Sequence, residues 1–177
     1  MKSPFSLVCF LTGLCALLFS GCAPMPPKQI AAEDRIKFVR ALIAATQSNH
    51  VVDAAYMAET LNVNVTKRSE VYDWSKNMMN NNYRIYDRYG RLSSSSTYSN
   101  LSNKDIAIDH FWNLEPQNDF CITREDIREA GEKNQFLEQK IMVSMKSGDN
   151  NLTFMFKDGS PCSYSISATN YAKKAAS

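Results

Sequence analysis

From residue 31 to 61 apolar side chains recur at helical spacing, and from residue 106 onward they alternate with polar ones. In the first stretch Ile36, Val39 and Ile43 recur at +3 and +7 with Phe38 and Leu42 beside them, while Asp34, Arg35, Lys37 and Arg40 take the remaining surface. One apolar face at a 3.6-residue period predicts a helix over 31–48. Glu33 and Asp34 fall in its first turn, where negative charge suits the helix dipole. Asp53, a strong N-cap residue, opens a second helix to Leu61. Its Ala54, Met57, Ala58 and Leu61 form a small-residue stripe that can pack closely on the first helix.

The middle is polar and its period is ambiguous. Val63 and Val65 alternate with asparagines and predict a short strand. Val71, Trp74 and Met78 share one side of a helix over 70–79, which Asn77 and the run Asn80, Asn81, Asn82 stop, since asparagine competes for its own backbone. Tyr83 to Leu92 predicts a hairpin turning near Tyr89-Gly90, and Ser93 to Ser102 a polar loop. Ile106, Ile108, His110 and Trp112 then lie on one face of a strand, with Ala107, Asp109 and Phe111 on the other, until Pro116 and Asn118 break it.

In the C-terminal third, Thr123-Arg124-Glu125-Asp126 reads as a capping box with Asp in place of Glu. It opens a helix of about two turns that ends at Gly131 as a C′ residue. Three strands follow. Ile141, Val143 and Met145 share a face in the first, and Leu152, Phe154 and Phe156 in the second. In the third Cys162, Tyr164, Ile166 and Ala168 face the core, while Ser163, Ser165, Ser167 and Thr169 face solvent. Gly148-Asp149-Asn150-Asn151 and Asp158-Gly159 supply the turns. The expected fold is α+β, with N-terminal helices packed on an antiparallel sheet and a C-terminal helix plus three-stranded meander.

Ahead of all this stands an apolar run, Phe5 to Phe19, preceded by Lys2 and followed by Ser20-Gly21-Cys22. The run is shorter than the ~20 residues a spanning helix needs, and its flanks fit a cleaved signal. Leu18-Phe19-Ser20-Gly21-Cys22 resembles the lipobox of bacterial lipoproteins, with Phe19 where leucine is usual. That resemblance implies a signal peptide over 1–21 and lipidation of Cys22. The anchor is thus acyl chains, palmitate among them, and more than one is what firm anchoring requires. Ala23 after the cysteine implies sorting to the outer membrane, with the domain facing the periplasm. Pro24, Pro26 and Pro27 make 22–30 a stiff tether. A single domain over 31–172 and a tail over 173–177 complete the expected organisation.

Cysteine usage follows from the anchor. Cys9 and Cys15 leave with the signal and Cys22 carries lipid, so Cys121 and Cys162 remain in a compartment where disulfides persist. They are most simply paired, with two reduced thiols as the alternative. No other cysteine or nearby histidine completes a four-ligand metal set. Losing Lys2 takes Lys plus Arg from 20 to 19 against 18 acids, which leaves no basic footprint for nucleic acid.

Residues 123 to 169 are similar in layout to small outer-membrane assembly lipoproteins of the SmpA/OmlA type. Thr123, Ile127, Gly131, Phe154, Phe156 and Asp158-Gly159 occur in that family's order, although Phe120-Cys121 and Gly131-Glu132-Lys133 depart from its flanking motifs. The run Tyr86 to Leu92 resembles one copy of the tyrosine–aspartate repeat of large shell-forming bacterial toxins. Those repeats act by stacking many units, so a single copy implies only the hairpin.

Candidate chemistry is thin. There are two histidines. His50 sits at a helix end, where it suits the last carbonyls, and His110 sits on a strand face. No nucleophile elbow, zinc motif, phosphate loop or dinucleotide fingerprint occurs, and no cofactor is implied. The sequence therefore points to a non-enzymatic envelope binding protein, membrane-held by its lipid and partnered by another envelope protein, as an accessory of an outer-membrane or secretion machine. An immunity protein or inhibitor against a periplasmic toxin or hydrolase is the alternative, and an enzyme using His110 the third. Tyr83, Tyr86, Tyr89 and Tyr98 are the expected partner surface, since tyrosine is enriched at interfaces.

Overall fold

A computed structural model describes residues 30–74, 78–103, 106–132 and 134–171. The signal peptide, Cys22 with its tether up to residue 29, and the tail over 173–177 lie outside the described residues. The chain forms α1 (Ala32–Gln47), a single 3-10 turn (His50–Val52) and α2 (Ala54–Leu61). Four strands follow: β1 (Asn64–Asp73), β2 (Met78–Tyr86), β3 (Thr97–Asn103) and β4 (Ile106–Leu114). Then come α3 (Arg124–Ala130), β5 (Leu137–Gln139), β6 (Met142–Ser147), β7 (Asn150–Phe156) and β8 (Ser163–Tyr171). All eight strands join one antiparallel sheet in the order β1-β2-β3-β4-β8-β7-β6-β5. The architecture is mixed but dominated by strands.

Two meanders, β1–β4 and β5–β8, meet where β4 pairs with β8. There His110 faces Asn170, Trp112 faces Ala168 and Leu114 faces Ile166. Phe38, Leu42, Met57 and Leu61 of α1 and α2 share one buried cluster with Ile127 of α3 and with Ile85, Trp112, Leu152, Phe154 and Ile166 of the strands. Burying each such side chain is worth about 1.5–3 kcal/mol, which is why the apolar spacing marks these positions. Polar bonds fix the register of helix on strand. Trp112 Nε1 donates to Val51 O at 2.8 Å, and Asn150 Nδ2 donates to Thr46 O at 2.8 Å.

The sheet has two distinct ends. One carries the 87–96 loop, the 115–123 connection and the 157–162 turn, and there Ile30 donates its N–H to Asp119 O. The other carries the β1–β2, β3–β4 and β6–β7 connections. Chain entry and the β1–β2 hairpin end are therefore at opposite ends of the sheet.

The helix caps follow the sequence. Asp53 accepts from the N–H groups of Ala55 and Tyr56, both at 3.0 Å, and Thr123 with Asp126 forms the full capping box. Gly131 differs from expectation. Its φ of −117° is not left-handed. Glycine is needed because a Cβ there would run into the Phe136 ring, with Ile43 Cδ1 3.2 Å away.

Four other expectations fail. Residues 70–73 and 78–79 are not helical but belong to β1 and β2, paired Glu70 to Asn81 and Tyr72 to Met79. Ser93–Ser102 is not a loop throughout, since Thr97–Asn103 is β3 between β2 and β4. The C-terminal meander has four strands, because β5 pairs Leu137 with Ser144 ahead of the three foreseen. Ser163 and Thr169 are buried rather than solvent-facing. A register shift accounts for part of this: Phe156 faces Ser163 and Met155 faces Ser165, so Tyr164 is an extra residue and projects outward.

Candidate docking surfaces

The Tyr86–Leu92 run is a knot built on one buried carboxylate. Asp87 accepts from the backbone N–H groups of Tyr89, Arg91 and Leu92 at 3.1, 2.8 and 3.2 Å, and from Arg91 Nε at 3.0 Å. Arg91 also donates to Leu61 O at 2.6 Å, and its guanidinium lies 5.3 Å from the centre of the Phe38 ring. Gly90 takes a φ of +68°, open to glycine at no steric cost, and turns the loop. The run thereby ties the β2–β3 connection to both N-terminal helices.

The four tyrosines do not form one surface. Tyr86 is 62% exposed, and Tyr89 is also exposed, its hydroxyl accepting from Asn62 Nδ2 at 3.0 Å and Arg88 Nη2 at 2.7 Å. Tyr83 is half-buried, its ring tilted against that of Tyr98 with centroids 5.2 Å apart. Tyr98 is only 3% exposed and packs 4.5 Å from Trp112, so it belongs to the core. Burial pushes its hydroxyl up to about 12, and a hydrogen bond with Asn100 opposes that only in part. Strand pairing buries Tyr98. Tyr83, Tyr98 and Trp112 stand opposite one another on three adjacent strands and pack as a row of tilted rings.

His110 is held by the same row. Its Nδ1 lies 2.7 Å from the Tyr98 hydroxyl, and the imidazole is buried between Asn100 and Asn170 on the neighbouring strands. The hydroxyl and the imidazole are thus held together inside the sheet. Asn170 continues the polar chain, donating to Asn150 Oδ1 at 2.6 Å, and Asn150 in turn donates to Asn49 Oδ1 at 3.0 Å. The arrangement joins sheet to helix end.

Cys121 and Cys162 are disulfide-bonded, with Cα atoms 4.9 Å apart. The bond staples the segment before α3 to the start of β8, where Ser163 N–H also donates to Ile122 O at 2.9 Å. Beside it Arg35 reaches Asp126 with Nε at 2.9 Å and Nη2 at 3.1 Å, joining α1 to α3. The depression between these helices is open and of mixed charge, lined by Arg40, Gln47, Glu129 and Glu132 among others. No cluster of three metal-ligating side chains occurs among the described residues.

Strand alternation turns a different set of residues away from Trp112. On that side Asn82 links two neighbours, donating to Ser69 Oγ at 3.4 Å and accepting from Ser99 Oγ at 2.9 Å. Ser165 Oγ donates to Asn113 Oδ1 at 3.1 Å. Tyr86 and Phe111 stand exposed in the same set, whose charged members include Arg84 and Lys146. At the hairpin end Trp74 is 85% exposed, its ring 4.5 Å from Tyr72, with Val71 exposed nearby. Sequence reasoning missed both features because β2 and β3 were not foreseen as strands.

A scan against protein-family models found no match, and searches of curated proteins and of solved structures found none either.

Proposed function

We propose that this chain is a lipid-anchored binding domain of the bacterial envelope without catalytic activity. In this reading Cys22 holds it at the periplasmic side of the outer membrane, where it serves an assembly or secretion machine. The lipobox-like Leu18–Cys22 and Ala23 support the anchor and its address. The three helices cover one face of the sheet and the opposite face meets the partner.

The binding role rests on one observation. Tyr86 and Phe111 stand exposed on a sheet side where Ser69, Asn82, Ser99, Asn113 and Ser165 are already fixed to one another by side-chain hydrogen bonds. Rigid neutral polar groups around aromatic anchors are what a protein interface uses, because little entropy is lost on docking. Photo-crosslinking residues placed at 86 and 111 test this in the native envelope. The expected result is one adduct shared by both positions, and the adduct formed from position 86 disappears with Phe111→Asp. A toxin or hydrolase as that adduct would move the reading to an immunity protein or inhibitor. Absence of any adduct at both positions would contradict a docking role.

A further inference from the structure

The two edges of the sheet are unlike. At one, β5 is three residues long and its Glu138 is held by Arg128 at 2.8 Å, a short and charge-blunted edge. At the other, β1 runs ten residues and is terminal in the strand order, so its outer edge pairs with no described strand. A long unpaired edge is a template for a further strand.

The side-chain order along β1 says which strand. Lys67 faces Tyr83 and Ser69 faces Asn82, so Arg68 is an extra residue and the alternation shifts there. Because of that shift, residues placed symmetrically about the Arg68–Ser69 bond share a face. Lys67 and Glu70 do so, opposite Tyr83 and Asn81. Val65 and Tyr72 do so on the same side, opposite Ile85 and Met79, and Thr66 with Val71 on the other, opposite Arg84 and Asn80. Lys67 and Glu70 already form an ion pair within the strand and are about half exposed.

We propose that β1 pairs antiparallel with β1 of a second copy, about a two-fold axis at the Arg68–Ser69 bond. Lys67 then lies opposite Glu70 of the second copy, and Glu70 opposite its Lys67, so the four charges alternate in sign. Val65 meets Tyr72 and Thr66 meets Val71, each twice, as an isologous interface requires. An uninterrupted strand could not do this, since residues three apart would point to opposite faces. Arg68 is the one mismatch, because the axis brings two guanidinium groups near each other.

Sedimentation of the purified full chain in mild detergent, over a wide concentration range, tests the pairing. The chain is expected to associate to a dimer. Lys67→Glu sets two like charges against Glu70 of each copy and should weaken the dimer about tenfold or more, a 1.4 kcal/mol effect. Lys67→Glu with Glu70→Lys should restore it, and Arg68→Ser should tighten it. Hydrogen exchange should slow with concentration in 64–73 and nowhere else on the sheet edges. Thermal melts of each variant report whether the fold itself has been lost. A chain that stays monomeric at the highest concentration, or a dimer indifferent to charge reversal and its restoration, would overturn the proposal.

Discussion

β1–β4 and β5–β8 are both four-stranded antiparallel meanders that follow a helix, yet different forces hold them. The second is built from apolar alternation. Leu152, Phe154, Val143, Met145 and Ile166 fill its core side, and a disulfide and a capping box fix its entry. The first has little of that. Its core side is the row of tilted rings Tyr83–Tyr98–Trp112, its connection is tied by Asp87, and its far side is bonded through serines and asparagines. A sheet can thus be specified by cross-strand rings and side-chain amides where aliphatic alternation is missing. The side bonded in this way is the one assigned to a partner.

The comparison can be broken first at the disulfide. Closing a loop at a separation of 41 residues stabilises by about 4 kcal/mol in the chain-entropy model. Reduction should therefore lower the urea midpoint strongly and speed amide exchange in β5–β8 more than in β1–β3. An unchanged midpoint would mean that the packing alone holds this half. Next is the Asp87 knot, which plays the equivalent part in the other half. Asp87→Ala removes the partner of a mostly buried guanidinium and orphans three N–H groups, at a cost of about 3 kcal/mol. Exchange should rise in 87–92 and α2 while 121–162 stays protected, and a uniform loss across both halves would erase the distinction.

A smaller effect lies in acid. Burial alone would raise the Asp126 carboxyl, but hydrogen bonds from Arg35 and Thr123 outweigh it and hold the group below its ordinary 3.8. A folded-state value below the unfolded one stabilises above the unfolded pKa, and that contribution is lost as pH falls through the folded value. Stability at neutral pH should thus drop in Asp126→Asn, and the variant should lose less than the parent when pH is taken below 3.8. Equal losses in parent and variant would show that other carboxylates set the acid limit.

What the sequence revealed divides along the same line. The helix over 32–47 was legible from its 3.6-residue apolar spacing, and those over 54–61 and 124–130 from the capping residues Asp53 and Thr123. β7 and β8 were legible because Leu152, Phe154, Ile166 and Ala168 alternate. β2, β3 and the rest of β1 beyond its first residues were hidden for physical reasons. Arg68 breaks the period of two in β1, and Val71, Trp74 and Met78 happen to match a helical face. Asn80–Asn82 and the serines of β3 have low strand propensity and gain their places only by pairing. Tyr98 was assigned to the surface because nothing local shows that Tyr83 and Trp112 flank it. Of the expected partner tyrosines, Tyr86 and Tyr89 remain exposed.

The address and the partner class were read from the anchor, as was the expected pairing of Cys121 with Cys162, a bond that the structure shows independently. Fractionation of cells carrying Cys22→Ser is the direct test. The variant should leave the membrane and accumulate as a soluble, folded periplasmic protein that still carries the Cys121–Cys162 bond. If it stayed with the membrane fraction as the parent does, the lipid anchor and the function built on it would be wrong.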